Sequence, residues 1–323
     1  MSEPVLDLVT WGETMVRLSP PVGHSLESSP TLEFFTGGTE SNTAIALARL
    51  GWRVGWVSRV PDSPLGRRIA RDVALHGVDV SRVIWAKDGR AGVMFLESGA
   101  VPRPARITYD RAGSAIARLV PDELDYAYLT SARTLHLTGI TPALSASCRE
   151  AWLRSAKAAK QAGRRVVVDV NYRSKLWSPA QAKATLEAVF PIVDVVISAL
   201  ADVQTIFGLP HDPELTAETF RNAYRLPMVV LTLGADGALA HDGKVTRHPI
   251  FPTEIVDRIG AGDAFSAGFL FGWDQRDIAW GLRCGCALAA LKQTFRGDVT
   301  WTGREELLEL AAAGAGDSHR VKR

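Results

Sequence analysis

Cysteine is scarce in this chain: Cys148, Cys284 and Cys286 are the only three among 323 residues. An odd, unevenly spaced set provides no disulfide framework. Cys284-Gly285-Cys286 has no Cys or His cluster beside it to complete a metal site, so two small residues on a packed helix is the simpler reading. An excess of one charge is also missing. Lys and Arg number 37 against 35 Asp and Glu, a net charge of +2, part of it in the terminal stretch His319–Arg323. That balance argues against a nucleic-acid partner or a membrane surface. No apolar run approaches the ~20 residues of a membrane span. Met1-Ser2-Glu3-Pro4 lacks both the basic and the apolar region of a signal peptide, which together with the thiols fits a cytoplasmic protein. Two phosphate-binding fingerprints are absent as well. G-x-x-x-x-G-K-[ST] occurs nowhere, and no G-x-G-x-x-G follows the first strand, which counts against P-loop and dinucleotide enzymes.

What remains is ordinary globular composition, 46% hydrophobic and 22% charged. Short β-branched runs alternate with helical patterns. Strands are expected at Leu6–Trp11, Val54–Val60, Thr134–Leu137, Val166–Val170, Val193–Ile197, Val229–Leu233 and Ala238–His241. Helices are expected at Thr39–Leu50, Leu65–His76, Ser145–Gln161, Pro179–Val189, Ala201–Phe207, Ala217–Tyr224, Gly262–Gly272, Ile278–Thr294 and Arg304–Ala313. Unbroken apolar strands such as Val166–Val170 suit a mostly parallel sheet covered on both faces. The fold class is therefore α/β, a doubly wound sheet flanked by helices. Residues 13–36 and 89–111 break the alternation with short strand-like pieces and no helix. They read as one small antiparallel sheet acting as a lid over the strand ends, where open α/β sheets bind ligands. Val93, Phe95 and Ile107 on that lid offer apolar surface for pairing into a homo-oligomer. Residues 1–313 form a single domain on this reading, and 314–323 a disordered tail.

The most informative segment is Val256–Leu270. Gly260-Ala261-Gly262 runs directly into an apolar helix, with Asp263 at the junction. The first N–H groups of a helix have no intrahelical partner and carry the positive end of its dipole, so they can close around a phosphate. A carboxylate there would repel that anion unless it had a task, such as taking a proton from an attacking hydroxyl. The alternative is an Asp cap on an ordinary helix. The nearly all-apolar continuation after Asp263 argues for a helix start buried in a crevice.

Other motifs are weaker alone. Gly37-Gly38-Thr39 opens a second helix, with Asn42 in its first turn; paired glycines admit a ligand hydroxyl, although a capped tight turn explains them equally. Asp169–Arg173 emerges at the carboxyl edge of a strand, where Arg173 can grip a carboxylate or phosphate. Tyr109 and Arg111 sit on the lid. Thr232–Gly237 is a strand and glycine turn that could lie under nucleotide phosphates or merely form a hairpin.

Taken in order, these motifs resemble the ribokinase-like (PfkB) carbohydrate kinases over essentially the whole chain. Gly37-Gly38-x-x-x-Asn42 resembles that family's first signature, and Asp257–Asp263 its second, D-T-x-G-A-G-D, with Arg258 in place of Thr. Thr108–Ala115, Asp169–Trp177, Val256–Asp263 and Arg296–Asp298 most resemble the 2-keto-3-deoxygluconate kinase branch. The resemblance implies transfer of the γ-phosphate of ATP to the terminal hydroxyl of that sugar acid, giving the 6-phosphate. It implies Asp263 as base, Gly260, Ala261 and Gly262 as anion hole, and Gly37, Gly38, Thr39, Asn42, Tyr109, Arg111, Arg173 and Asp298 around the sugar. Met94 stands where the branch can carry an aromatic. Asn171, Thr232, Gly234, Ala235, Asp236 and Gly237, with the hole, would follow ATP. Magnesium is implied, with room for a monovalent cation. The family's N-x-x-E motif reads Ala199-Leu-Ala-Asp202 here, so Asp202 could act only through water and Ala199 not at all. Rival readings are a kinase for a neutral sugar of fructose or ribose type, and a sugar-responsive binding protein without turnover.

Overall fold

Adjacent strand residues face two different apolar cores. Val167, Val195, Ile197 and Val230 share one core with Phe265 and Phe269, while Val166, Val168, Val196 and Val229 share the other with Trp152, Phe190 and Phe220. That is why the strands read as continuous apolar runs: each central strand is covered on both faces. The computed structural model describes residues 5–99 and 102–313, so the expected tail at 314–323 lies outside the described residues.

Among the described residues the strands are β1 (Leu6–Trp11), β2 (Met15–Ser19), β3 (Glu33–Gly37), β4 (Val54–Val57), β5 (Arg59–Pro61), β6 (Ile84–Ala86) and β7 (Val93–Glu97). They continue with β8 (Arg106–Asp110), β9 (Ala132–Thr138), β10 (Arg165–Asp169), β11 (Val195–Ala199), β12 (Met228–Thr232), β13 (Ala238–His241) and β14 (Val245–His248). The main sheet has the order β14-β13-β12-β11-β10-β9-β1-β4. Pairing is parallel from β12 to β4, and β13 and β14 add an antiparallel edge. A second sheet, β3-β2-β7-β8, joins the two insertions as expected. Its two hairpins are antiparallel, and the seam between β2 and β7 is parallel. No helix among the described residues is long and apolar enough to cross a membrane.

Three expectations need correction. The run Val54–Val60 is not one strand: it breaks at Ser58, because β1 ends its pairing at Trp11–Val57 and β5 turns to pair with β6. The helix expected at Ala217 begins at Pro213, where the Asp212 carboxylate accepts the Leu215 N–H at 2.8 Å. Ile107 does not share an outward face with Val93 and Phe95. It is paired with Leu96 and lines the cavity below, whereas Val93 and Phe95 pair with Asp110 and Thr108. The apolar surface offered for pairing is therefore divided between the two faces of the lid.

Candidate active site

The carboxyl ends of β1, β9, β10, β11 and β12, the underside of the lid and two helix N-termini enclose a cavity of about 490 Å³. Gly260 is left-handed (φ 84°), and a Cβ there would stand 1.9 Å from the Asp298 carbonyl oxygen, so only glycine fits. Helix Ala261–Gln275 starts immediately after it. The Ala261 N–H is already bonded to the Arg258 carbonyl at 3.2 Å. Gly262 and Asp263 are left as the first-turn donors that face the cavity. Nothing in the protein lies within 4 Å of a Cβ built on Gly262. No packing constraint therefore requires glycine at 262; the open space above it suits an incoming anion.

Asp263 is 7% exposed, and burial pushes its carboxyl up to about 6 from an ordinary 3.8. The Asn42 side-chain amide donates to its Oδ2 at 2.7 Å and favours the ionised form. Asn42, expected beside the sugar, thus has a first task of holding this carboxylate. The glycines before it are also explained by the protein itself. A Cβ on Gly37 would meet Asp298 Oδ2 at 2.1 Å, and one on Gly38 the Glu13 carbonyl at 2.0 Å.

The two arginines expected to grip an acid differ. Arg111 is half-buried over the Tyr109 ring and its Nε donates to Glu13 Oε2 at 2.8 Å, so its charge is already balanced. Arg173 lies exposed at the cavity rim, donates only to the Tyr172 carbonyl at 3.1 Å, and has no carboxylate partner among the described residues. Met94 is buried against the cavity opposite Tyr109. Asp298 reaches the cavity but is bonded to Arg17 Nη1 at 2.6 Å, while Arg17 Nη2 holds Asp257 at 2.6 Å. Fully buried Lys292 donates to the Asp257 carbonyl at 3.0 Å, completing a block of charge beneath the hole.

A carboxylate poised beside free helix-end amides, with a lid above, is phosphotransfer geometry. The model of the pfkB family of carbohydrate kinases matches residues 5–301. The chain belongs to that family. It is 42% identical over 310 residues to a 2-dehydro-3-deoxygalactonokinase of Haloferax volcanii, covering 95% of this chain and 97% of that one. It is 31% identical to a 2-dehydro-3-deoxygluconokinase of Bacillus subtilis, covering 98% of each. The crystal structure of a 2-dehydro-3-deoxygluconokinase from Thermotoga maritima superposes with a TM-score of 0.89 at 30% identity, over 97% of this chain and all of that one.

On the side expected to hold nucleotide, this pfkB kinase gathers some residues and not others. Asn171 has a left-handed backbone (φ 37°) and donates to Thr39 Oγ1 at 3.5 Å; both line the cavity, as does Thr232. Gly234, Ala235 and Asp236 form an exposed turn outside the cavity lining, and Gly237 (φ 87°) is required by the His248 carbonyl 2.1 Å from where its Cβ would lie. Asp202 lines the cavity, accepts the Tyr172 N–H at 3.1 Å and has its carboxyl raised by burial. Ala199 is the N-cap of helix Leu200–Phe207 and offers no side-chain cap. Ala199→Asn is therefore expected to stabilise the fold by ~1 kcal/mol, read as a rise in Tm.

Sequence reasoning passed over three residues on the cavity wall. Asp169, at the end of β10, is pushed up to about 7 by burial and by the neighbouring Asp263 charge, with Ser266 Oγ donating at 3.3 Å. Its place at the carboxyl end of an all-valine run was the available signal. Glu40 is likewise pushed up to about 7 by burial. Arg258, quoted only as a departure from the signature, lies exposed on the wall and makes no ion pair among the described residues.

Proposed function

We propose that this pfkB kinase phosphorylates the terminal hydroxyl of a 2-keto-3-deoxy sugar acid with ATP: 2-keto-3-deoxygluconate, expected from the sequence, or its galactonate epimer. The observation that carries this reading is Arg173, a guanidinium at the rim of the Asp263 cavity that has no ion-pair partner in direct contact, although its charge favours the ionised forms of Asp263, Asp169 and Asp202. A neutral sugar needs only hydroxyl partners, whereas a sugar acid brings a carboxylate that such a fork can hold. The relatives' names supply the same substrate class.

In this mechanism the Asp263 carboxylate takes the hydroxyl proton as the sugar oxygen bonds to the γ-phosphorus. The bond from that phosphorus to the β,γ-bridging oxygen breaks, and ADP leaves with the electron pair. Gly262 and Asp263 N–H groups hold charge developing on the transferred group. Arg258 and Thr232 support the phosphate chain from the wall. Among the described residues no cluster of three or more His, Cys, Asp or Glu is arranged to hold a metal. Such a site fits magnesium that arrives on phosphates and keeps its waters, with Asp202 as the carboxylate for those waters. Bound magnesium would supply charge neutralisation. Free, buried cysteines and balanced charge support a cytoplasmic setting.

Coupled-assay kinetics on both keto-deoxy acids, fructose and ribose test the reading. Arg173→Ala should raise the KM for the acids roughly tenfold to a hundredfold, the equivalent of losing a charged hydrogen bond of ~1.5–3 kcal/mol. Its KM for ATP should be unchanged. Arg111→Ala also unpairs buried Glu13, so it should lower Tm as well. Preferred turnover of a neutral sugar, or Arg173→Ala with normal KM for the acids, would remove the carboxylate from this account.

A further inference from the structure

Lys292 is a buried cation that nothing in the mechanism above uses. It stands in the last turn of helix Ile278–Gln293. A lysine there ordinarily offsets the negative end of the helix while its ammonium stays in water. This one is 0% exposed. Its side chain makes no ion pair among the described residues, and its only hydrogen bond goes to the Asp257 main-chain carbonyl at 3.0 Å. An ammonium is a compact, strongly hydrated charge with three donors, so burying it with one neutral acceptor is costly.

The position gives that cost a purpose. A Cβ built on Gly260 would fall 3.4 Å from Lys292 Cε, so the lysine stem runs beneath the turn that opens the anion hole. The same helix end holds the approach to that turn. Val256 and Asp257 donate their N–H groups to the Gln293 carbonyl at 2.8 and 3.1 Å. With Lys292 on its carbonyl, Asp257 is held on both sides of its backbone, while Arg17 holds its carboxylate. The charge also sits among acids. Burial lowers the affinity of Lys292 for its proton; Asp257, Asp298 and Asp263 oppose that, and Arg17 adds to it. Around Asp263, Arg173 and Lys292 are set against Asp298, Asp169 and Glu40. Of the two cations, only Lys292 is inside the protein.

We infer that Lys292 is a positioning residue for the transfer step: its ammonium fixes the Asp257–Gly260 turn behind the anion hole and supplies an internal positive charge that favours the ionised base. Lys292 does not line the cavity, so it acts through Asp257 and Asp263 rather than on either substrate. The inference rests on the reading of Asp263 as base, and not on which sugar brings the hydroxyl. Loosening the turn misplaces the amides that meet the developing charge, which lowers kcat. Removing the charge makes Asp263 harder to ionise, which moves its titration to higher pH.

Lys292→Met and Lys292→Gln test both effects. Each removes the charge, and glutamine keeps an N–H donor for the Asp257 carbonyl. Wild type and variants are compared for kcat and KM across pH, and for Tm. In wild type, kcat/KM should fall below about 6 as Asp263 takes up a proton. Both variants should shift that limb to higher pH by ~0.5 unit or more, as loss of a nearby opposite charge requires. Lys292→Met should also lose ~tenfold or more in kcat on the plateau at unchanged sugar KM, and Lys292→Gln less. A merely structural lysine would lower Tm and the active fraction but leave the limb in place. An unmoved limb in a folded variant, whatever happens to Tm, overturns the inference. Should neither variant fold, ¹⁵N NMR of lysine-labelled wild type decides, read on the slowly exchanging amine of Lys292. It should stay a protonated ammonium from about pH 6 to 8, and a neutral amine there refutes the inference. Failure of the base reading is separate, since it shows as normal speed of Asp263→Asn. The turn-fixing role is then judged on the kcat of Lys292→Met alone, where loss supports it and normal speed refutes it.

Discussion

Asp263→Asn is expected to lower kcat by ~10²–10⁴-fold, the usual contribution of a positioned general base, while ATP binds as before. Asparagine keeps an acceptor for the Asn42 amide and leaves the helix-end amides in place, so only proton removal is lost. The base must be ionised to act. Burial has pushed it up to about 6, so wild-type kcat/KM should fall with decreasing pH below that value, approaching tenfold per unit. Stability should move the other way. A carboxyl raised from 3.8 in the unfolded chain to about 6 in the fold favours the native state below 3.8, and that contribution is lost as pH rises through 6. Asp263→Asn should therefore have a higher Tm than wild type at pH 8, with the gap closing towards pH 4. A variant of normal speed, or one that is slow only because it melts early, would refute the assignment.

The second large effect is structural. Arg17 is 1% exposed, spans Asp298 and Asp257, and lies over the Phe35 ring at 5.1 Å. Arg17→Met keeps the volume and removes the charge, leaving two buried carboxylates to Lys292 alone. Breaking a buried pair in this way typically costs ~3–5 kcal/mol, which for a chain of this size lowers Tm on the order of 10 °C. Activity should fall too, because Asp257 also accepts the Ile259 N–H at 3.0 Å and the Gly297 N–H at 3.1 Å and so shapes the loop before the anion hole. Arg17→Lys should not restore it, since a single ammonium cannot fork to two acids. Thermal melts and kcat of both variants check this; a Tm within about 2 °C of wild type would mean the cluster contributes little.

The parts of this protein legible in its sequence are those governed by local pattern. Valine runs mark the doubly covered strands, and Gly260-Ala261-Gly262-Asp263 marks the helix start and its base. What stayed hidden depends on residues distant in the chain. Arg111 reads as a free cation until β8 brings it to Glu13, 98 positions earlier. Asp298 reads as a sugar contact, and its bond to Arg17, 281 positions away, is invisible in the sequence. Gly37 and Gly38 invite a ligand explanation, and the nearby Asp298 side chain and Glu13 carbonyl add a steric one that the sequence does not show. The break at Ser58 carries no Gly or Pro, because the choice of a new partner strand made it.

The Arg17 cluster also anchors one half of the covering sheet to the loops around the anion hole. β2 is tied through Arg17 to the loops on either side of the hole, and β3 is paired along its whole length with β2. The β7–β8 hairpin joins this pair along the β2–β7 seam and through Glu97, whose Oε1 accepts the Leu26 N–H at 3.0 Å. Met94, Tyr109 and Arg111 on and beside the hairpin therefore roof the cavity above Gly37 and Asp298. The Arg111–Glu13 ion pair crosses from the end of the hairpin to the segment between β1 and β2, so the roof is clamped to the wall of the cavity by charge as well as by strand pairing.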